Sequence, residues 1–283
     1  MRHQHTPTAA ATRIQGSIRR GAALAALLVM GSTLPAVRVA AQSGDGSPVV
    51  STPTVLPFAI GDTLRYDARV AKFGRVGEAV MWIEGPRELR GASVEVMRFD
   101  FRAGVGPVKA VDRTESWFDT RRMASLQFHK HERHPLSRHD ERVEMYPDER
   151  RWQGADGAGG ESPSAAPLDE LSFMFFIRTL PLIADTTYRF DRHFDAARNP
   201  TTVRVVRRED VATDAGVFHT VLLEMRVKDP RRYHGEGVIK INLTDDDRRL
   251  PVRIESEMPV IGTAVLTLDT HSCATRQVVA VKR

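Results

Sequence analysis

The sequence predicts a mainly β protein: an antiparallel meander forming a strongly curved sheet, or partial barrel, wrapped around one apolar helix. Three observations predict it. Runs of residues alternate apolar and charged with a period of two, and turn-forming residues interrupt them at short intervals. One segment, "PLDELSFMFFIRTLPL" (Pro167 to Leu182), is apolar nearly all the way round a helix.

The strands come first. Leu64, Tyr66, Ala68 and Val70 fall on one face, with Arg65, Asp67 and Arg69 on the other. Met97, Phe99 and Phe101 alternate with Arg98, Asp100 and Arg102, and Val252 and Ile254 with Arg253 and Glu255. Val221, Leu223, Met225 and Val227 face away from Glu224, Arg226 and Lys228. One apolar and one charged face, repeated, favours an antiparallel sheet with a wet side. Gly74, Gly85-Pro86, Gly104 to Pro107, Asn199-Pro200, Asp214 to Gly216, Asp229-Pro230 and Pro259 to Gly262 break the runs. Such spacing indicates about ten hairpin-linked strands, not βαβ units.

Next is the helix, expected over about 168–180. Pro167 suits a first turn, Asp169 and Glu170 suit the positive helix end, and Pro181 stops the run. Leu171 and Phe175 face one way; Phe173, Phe176, Ile177 and Leu180 face the other. Apolar on most sides, it must be buried on most sides. At ~20 Å long it cannot cover a flat sheet ~50 Å wide, so the sheet is expected to curl around it. Arg178 is expected to be dispensable for folding. The preceding stretch 154–166 (GADGAGGESPSAA) is too rich in Gly and Ser to pack and is expected to be a flexible loop.

The ends carry a different message. Residues 1–41 hold Arg2, Arg13, Arg19, Arg20 and Arg38, no acid, a short apolar run from Gly21 to Val37, and small residues at Val39-Ala40-Ala41. That pattern reads as a secretory signal peptide. Residues 42–57 read as a flexible tether, 58–272 as a single β-rich domain and 273–283 as a C-terminal tail. The expected location is therefore periplasmic or secreted. The one cysteine, Cys273, does not follow the apolar run, so a lipoprotein attachment site is not expected there. No transmembrane segment is expected in the mature chain. Charge points the same way. The whole chain carries 41 basic and 36 acidic residues, but the signal holds five of the bases. The mature chain is thus formally neutral, which argues against nucleic acid as a partner.

Chemistry-bearing residues are few. "HKHERHPLSRH" places His129, His131 and His134 as weak metal candidates, with His139 returning across a hairpin that would set Glu132 opposite Glu141. A solvated basic hairpin explains the same residues. "TDDDRRLP" (Thr244 to Pro251) could hold a cation or an acid pair at Asp245–Asp247, but a tight turn capped by its own Asp accounts for it. No Gly-x-Ser-x-Gly elbow, Gly-rich phosphate loop or cofactor motif is present.

Four blocks in order carry a family likeness: "LPFAIGDTLRYDARV…GRVGEAVMWI", "PLDELSFMFFIRTLPL", "VRREDVATDAGVFHTVLLEM" and "INLTDDDRRLPVRIE". Together they resemble the domain of unknown function 3108 family of exported bacterial proteins. Family members usually carry a large aromatic near the start of the last block, where this chain has Asn242. The resemblance implies an envelope-located β-rich domain; its general form is similar to curved-sheet-over-helix carriers of lipids and lipoproteins in the periplasm. The expected function is a non-enzymatic binding module for an apolar or amphiphilic ligand, a lipid or a lipidated partner, touched by Leu171, Phe173, Phe176 and Ile177. Two alternatives stand beside it: a structural or assembly protein of the envelope with a filled core, and a metal-dependent enzyme.

Overall fold

A computed structural model describes residues 55–134, 137–229, 236–258 and 262–274. The expected signal peptide, and all of the tether but its last three residues, lie outside the described residues. Among the described residues, fourteen strands form a single antiparallel sheet. The first eight are β1 Thr63–Val70, β2 Gly74–Leu89, β3 Ala92–Val105, β4 Val108–Asp119, β5 Ala124–His134, β6 Ser137–Tyr146, β7 Arg151–Gly154 and β8 Gly159–Glu161. After the helix come β9 Thr187–Phe190, β10 Thr201–Thr213, β11 Gly216–Lys228, β12 Glu236–Thr244, β13 Pro251–Met258 and β14 Gly262–Ser272. Their spatial order is β8-β7-β6-β5-β4-β3-β2-β1-β14-β13-β12-β11-β10-β9, so the first and last long strands pair and the sheet stays open between β8 and β9.

Curvature has local causes. The ladders slip at Arg65/Tyr66, Ala68/Arg69, Glu84/Arg87, Trp117/Phe118, Val205/Arg207 and Asn242/Leu243. Each extra residue bends its strand and adds twist, which rolls a wide sheet. The inner face carries the expected side chains, among them Leu64, Tyr66, Leu223 and Val252, and also Val203 and Ile241, all buried.

The helix α1, Glu170–Phe176, is shorter than expected and runs into a 3₁₀ turn at Ile177–Thr179. Asp169 is its N-cap, not part of its first turn. The carboxylate accepts from the backbone N–H of Leu171 and Ser172 at 2.9 and 2.8 Å, and Ser172 Oγ accepts from the Asp169 N–H in return. Pro167 lies outside the helix, where its carbonyl accepts from Ser125 of β5. On the other side, Leu168 donates to Arg192 O and accepts from the Phe194 N–H. The stretch leading into α1 therefore spans the sheet's open seam.

Three further expectations change. The stretch 154–166 is not an unpacked loop. It holds the β7–β8 hairpin, with Gly154 N–H to Ala158 O at 2.7 Å and Ser162 N–H to Arg150 O at 2.7 Å. Glycine at 160 lets this backbone lie against the Trp152 ring, which supplies the packing surface that the stretch lacks. The domain also extends past both expected limits: Pro57 is buried, and the Ala274 N–H donates to Asp62 Oδ1 at 2.9 Å. Arg178, whose truncation to Ala is expected to leave folding intact, is nevertheless only 2% exposed. It donates to Pro57 O at 2.6 Å, to Arg248 O at 2.9 Å and to Arg249 O at 3.0 Å.

Candidate functional site

Between α1 and the sheet lies a cavity of about 300 Å³. One wall is apolar: Phe99 and Phe101 on β3, Ile239, Ile254 and Leu266 on β12 to β14, and Met174 on α1. These side chains point inward yet are only half-buried, because the space in front of them is open. The opposite wall is charged and follows the seam. Lys130 of β5 meets Glu170 of α1 at 2.6 Å, and Arg198, from the stretch before β10, meets the other Glu170 oxygen at 2.7 Å. Lys130 also reaches Glu132 at 3.2 Å, and Arg198 reaches Asp229 at 3.7 Å. Both cations are buried, which only such pairing makes tolerable. Where β-ladder bonds would close a full barrel, an ion-pair bridge stands instead.

Two titratable groups sit deeper on this side. Asp169 is fully buried, and burial pushes its carboxyl up to about 6 although Ser116 and Ser172 donate to it. Ser116, Ser125 and Ser172 form a hydrogen-bonded cluster around it, with Ser125 Oγ donating to Ser172 Oγ at 2.7 Å. These serines bond to the carboxylate and to each other; among the described residues none bonds a histidine. Burial also pushes His193 down to about 4, so its ring is neutral at pH 7. Its Nδ1 accepts from the Asp195 N–H at 3.1 Å, which places the proton on Nε2, and Nε2 has no protein partner among the described residues. Neither is singled out as a site residue by the sequence, where Asp169 reads only as an acid suited to the positive helix end.

Of the four expected ligand contacts, Leu171 and Phe173 line the cavity and Phe176 and Ile177 do not. Phe176 packs edge to face on Phe190 at 5.2 Å, and Ile177 is wholly buried in the core. Both are still on the helical turn, on sides that face packed core and not the cavity. Glu170 and Met174 take their place.

The histidines do not converge. On β5, His129 and His131 share one face and His134 lies on the other, where it bonds Asp112 at 2.7 Å. His131 bonds Asp140, and His139 bonds Glu141 at 3.2 Å. The register sets Glu132 opposite His139, not Glu141, so the feared like-charge pair does not arise. Among the described residues no three metal-ligating side chains form a group. At the acidic turn, Asp246 Oδ1 accepts from the N–H groups of Arg248 and Arg249 at 2.9 and 3.0 Å, while Asp245 pairs with Arg208. That is a capped turn. Asn242, at the position where an aromatic was expected from the resemblance, donates to Glu209 Oε1 at 2.8 Å and Thr220 Oγ1 at 3.1 Å.

Residues 65–269 match the family described as "Protein of unknown function (DUF3108)". The chain belongs to the DUF3108 family. No curated protein matches it. Among solved structures, this DUF3108 chain is similar to a β-barrel-like protein of domain of unknown function DUF1849 from Brucella abortus. The identity is 11% and the TM-score 0.51, covering 77% of this chain and 99% of that one. An inferred exported protein with a YmcC-like fold from Bacteroides fragilis matches at 13% identity and TM-score 0.33, covering 77% and 98%. An inferred lipoprotein from Parabacteroides distasonis matches at 10% and 0.33, covering 78% and 99%. The first of these likenesses supports the barrel-like fold and nothing finer. No helix among the described residues is long and apolar enough to cross a membrane.

Proposed function

We propose that this DUF3108 protein is an exported, non-enzymatic binding protein for a single-chain amphiphile. Its apolar part would lie between α1 and the sheet, and its polar end at the charged seam. The observation that carries the reading is the cavity of about 300 Å³ with its two unlike walls. Half-buried Phe99, Phe101, Ile254 and Leu266 gain ~25 cal/mol for each Å² that a ligand removes from water. The volume lies at the low end of small-molecule sites, ~300–1,000 Å³. At about 30 Å³ per water-sized group, it accommodates roughly ten such groups, most of a twelve-carbon chain whose polar end reaches the open, charged side. That favours one medium acyl chain over the several chains of a lipidated protein anchor. Export rests on the pattern of residues 1–41.

Native mass spectrometry of the purified protein, followed by organic extraction, tests the reading, together with titration by dodecanoate and dodecanol. The expected result is a one-to-one adduct with at least one of the two probes. A protein that carries no extractable amphiphile and takes up neither probe fits the alternative of a structural envelope protein.

A further inference from the structure

We infer that the cavity-mouth end of the barrel docks on an anionic bilayer surface through the tips of its β1–β2 and β3–β4 turns. In the meander these two turns leave the sheet at the same end, one strand pair apart, or roughly 10 Å. It is the end toward which the cavity opens: Ser256 and Ala264, both at its wall, pair two residues from the β13–β14 turn, and Val227 and Asp229 stand at the end of β11. At the tips Phe73 is 55% exposed, Val105 44% and Val108 51%. Single exposed apolar side chains are ordinary, and Val55, Ile183 and Val217 are others; these three differ in clustering on two neighbouring turns.

Charge indicates what covers them. From Val70 to Arg75 and from Arg102 to Lys109 there are four cations and no acid. Arg75 and Arg102 are neutralised by Asp67 and Asp100, lower on the strands. Lys72 and Lys109 have no carboxylate partner among the described residues. The contrast is Val217, 72% exposed at the β10–β11 turn on the opposite end, which follows Asp214 closely in sequence. Three apolar tips separated by glycine, proline and lysine form no flat patch approaching the ~800 Å² per side of a stable protein interface. They suit a soft surface instead, with the apolar tips in the acyl boundary and the lysines at phosphate level. A protein docked this way presents its cavity to the bilayer. The docking stands on the exposed tips alone; that it delivers cargo rests on the binding reading above.

Phe73→Trp and Val217→Trp variants of the full chain, mixed with phosphatidylglycerol vesicles whose acyl chains carry bromine, test the inference at each tip separately. Quenching beyond the native tryptophan background is expected for Phe73→Trp and not for Val217→Trp. Replacing Lys72 and Lys109 by Gln should lower the vesicle affinity read from that quenching about fivefold per lysine, and phosphatidylcholine vesicles should give little of it. Equal quenching of both variants, or none of Phe73→Trp, overturns the docking. Unquenched Phe73→Trp with dodecanoate uptake intact removes the docking and leaves the binding reading standing. Quenched Phe73→Trp in a protein that takes up no amphiphile does the reverse.

Discussion

The two ends of the barrel interior use similar side chains to opposite effect. At the far end Phe58 and Phe175 meet edge to face at 5.3 Å, and Arg178 closes over both rings. At the mouth Phe99 and Phe101 face inward and find no such partner among the described residues. Length explains the difference. Seven helical residues span ~10 Å and the 3₁₀ turn adds ~6 Å. Strands of 13 residues, such as β10 and β11, extend ~43 Å. A plug that short fills one end of the sheet and leaves the other open. The cavity follows from the mismatch, not from special cavity-lining residues.

The largest effect should come from breaking the filled end. Phe176→Asp removes a ring packed on Phe173 and Phe190 and sets a buried carboxylate in its place, with the Arg192 guanidinium as its one nearby cation. The loss of packing alone is ~3–5 kcal/mol, and burying the charge adds to it, against a typical total of ~5–15 kcal/mol. The variant should lack a cooperative melt by circular dichroism. A cooperative transition would mean that the helix is not what fills this end.

Arg178→Ala comes next. It strips hydrogen bonds from three carbonyls on two separate segments, Pro57 and the Arg248–Arg249 turn. A loss of ~2–4 kcal/mol in urea denaturation is expected, since each bond to a charged group is worth ~1.5–3 kcal/mol before relaxation. Arg178→Lys, a point charge without the guanidinium fork, should recover only part of it. A loss below ~1 kcal/mol would show that water replaces the guanidinium at little cost.

Arg178 also marks where the sequence stops being readable. Period-two alternation in β1, β3, β11 and β13 made the sheet legible, and the all-round apolar helix made the curl legible. These are local signals of side-chain direction. Arg178 owes its burial to Pro57 and Arg249, distant in the chain, and a buried arginine looks like any other in a sequence. The β7–β8 hairpin was hidden for the same reason: its packing partner Trp152 precedes the glycine-rich stretch. The charged wall assembles Lys130, Glu170 and Arg198 from three separate segments. Sequence reading names Leu171, Phe173, Phe176 and Ile177 together because all lie on the one element expected to be buried, and only the first two line the cavity.

A smaller effect should separate the seam from the filled end by pH. The folded pKa of Asp169 is raised by burial to about 6. The fold therefore prefers the protonated carboxyl. The stability this contributes is complete below the unfolded value of ~3.9 and is lost as pH rises through about 6. Asp169→Asn keeps an oxygen to accept from Leu171 and Ser172 but has no proton to lose. Relative to wild type, its stability should rise by about 1–3 kcal/mol between about pH 4 and pH 7.5. Glu95, raised to about 7, and His193, lowered to about 4, titrate in both proteins and cancel in the difference. A difference that stays flat with pH would place Asp169 outside this titration.

The smallest stability effect should be the most informative about function. Val252 and Ile254 are successive inward-facing residues of β13, with Val252 wholly buried and Ile254 half-buried at the cavity wall. Val252→Trp adds bulk where none fits and should cost ~1–3 kcal/mol or more. At Ile254 the same substitution projects into open space, so the melting free energy should shift by no more than ~0.5 kcal/mol. Uptake of dodecanoate or dodecanol by Ile254→Trp should nevertheless fall roughly tenfold or more, because an indole occupies much of a site sized for about ten heavy atoms. The pair thus turns the contrast between the two ends into one measurement on a single strand. If Ile254→Trp destabilises as much as Val252→Trp, the mouth is packed in solution and the interior is filled throughout. If it is tolerated and uptake is unchanged, the amphiphile binds elsewhere on the protein.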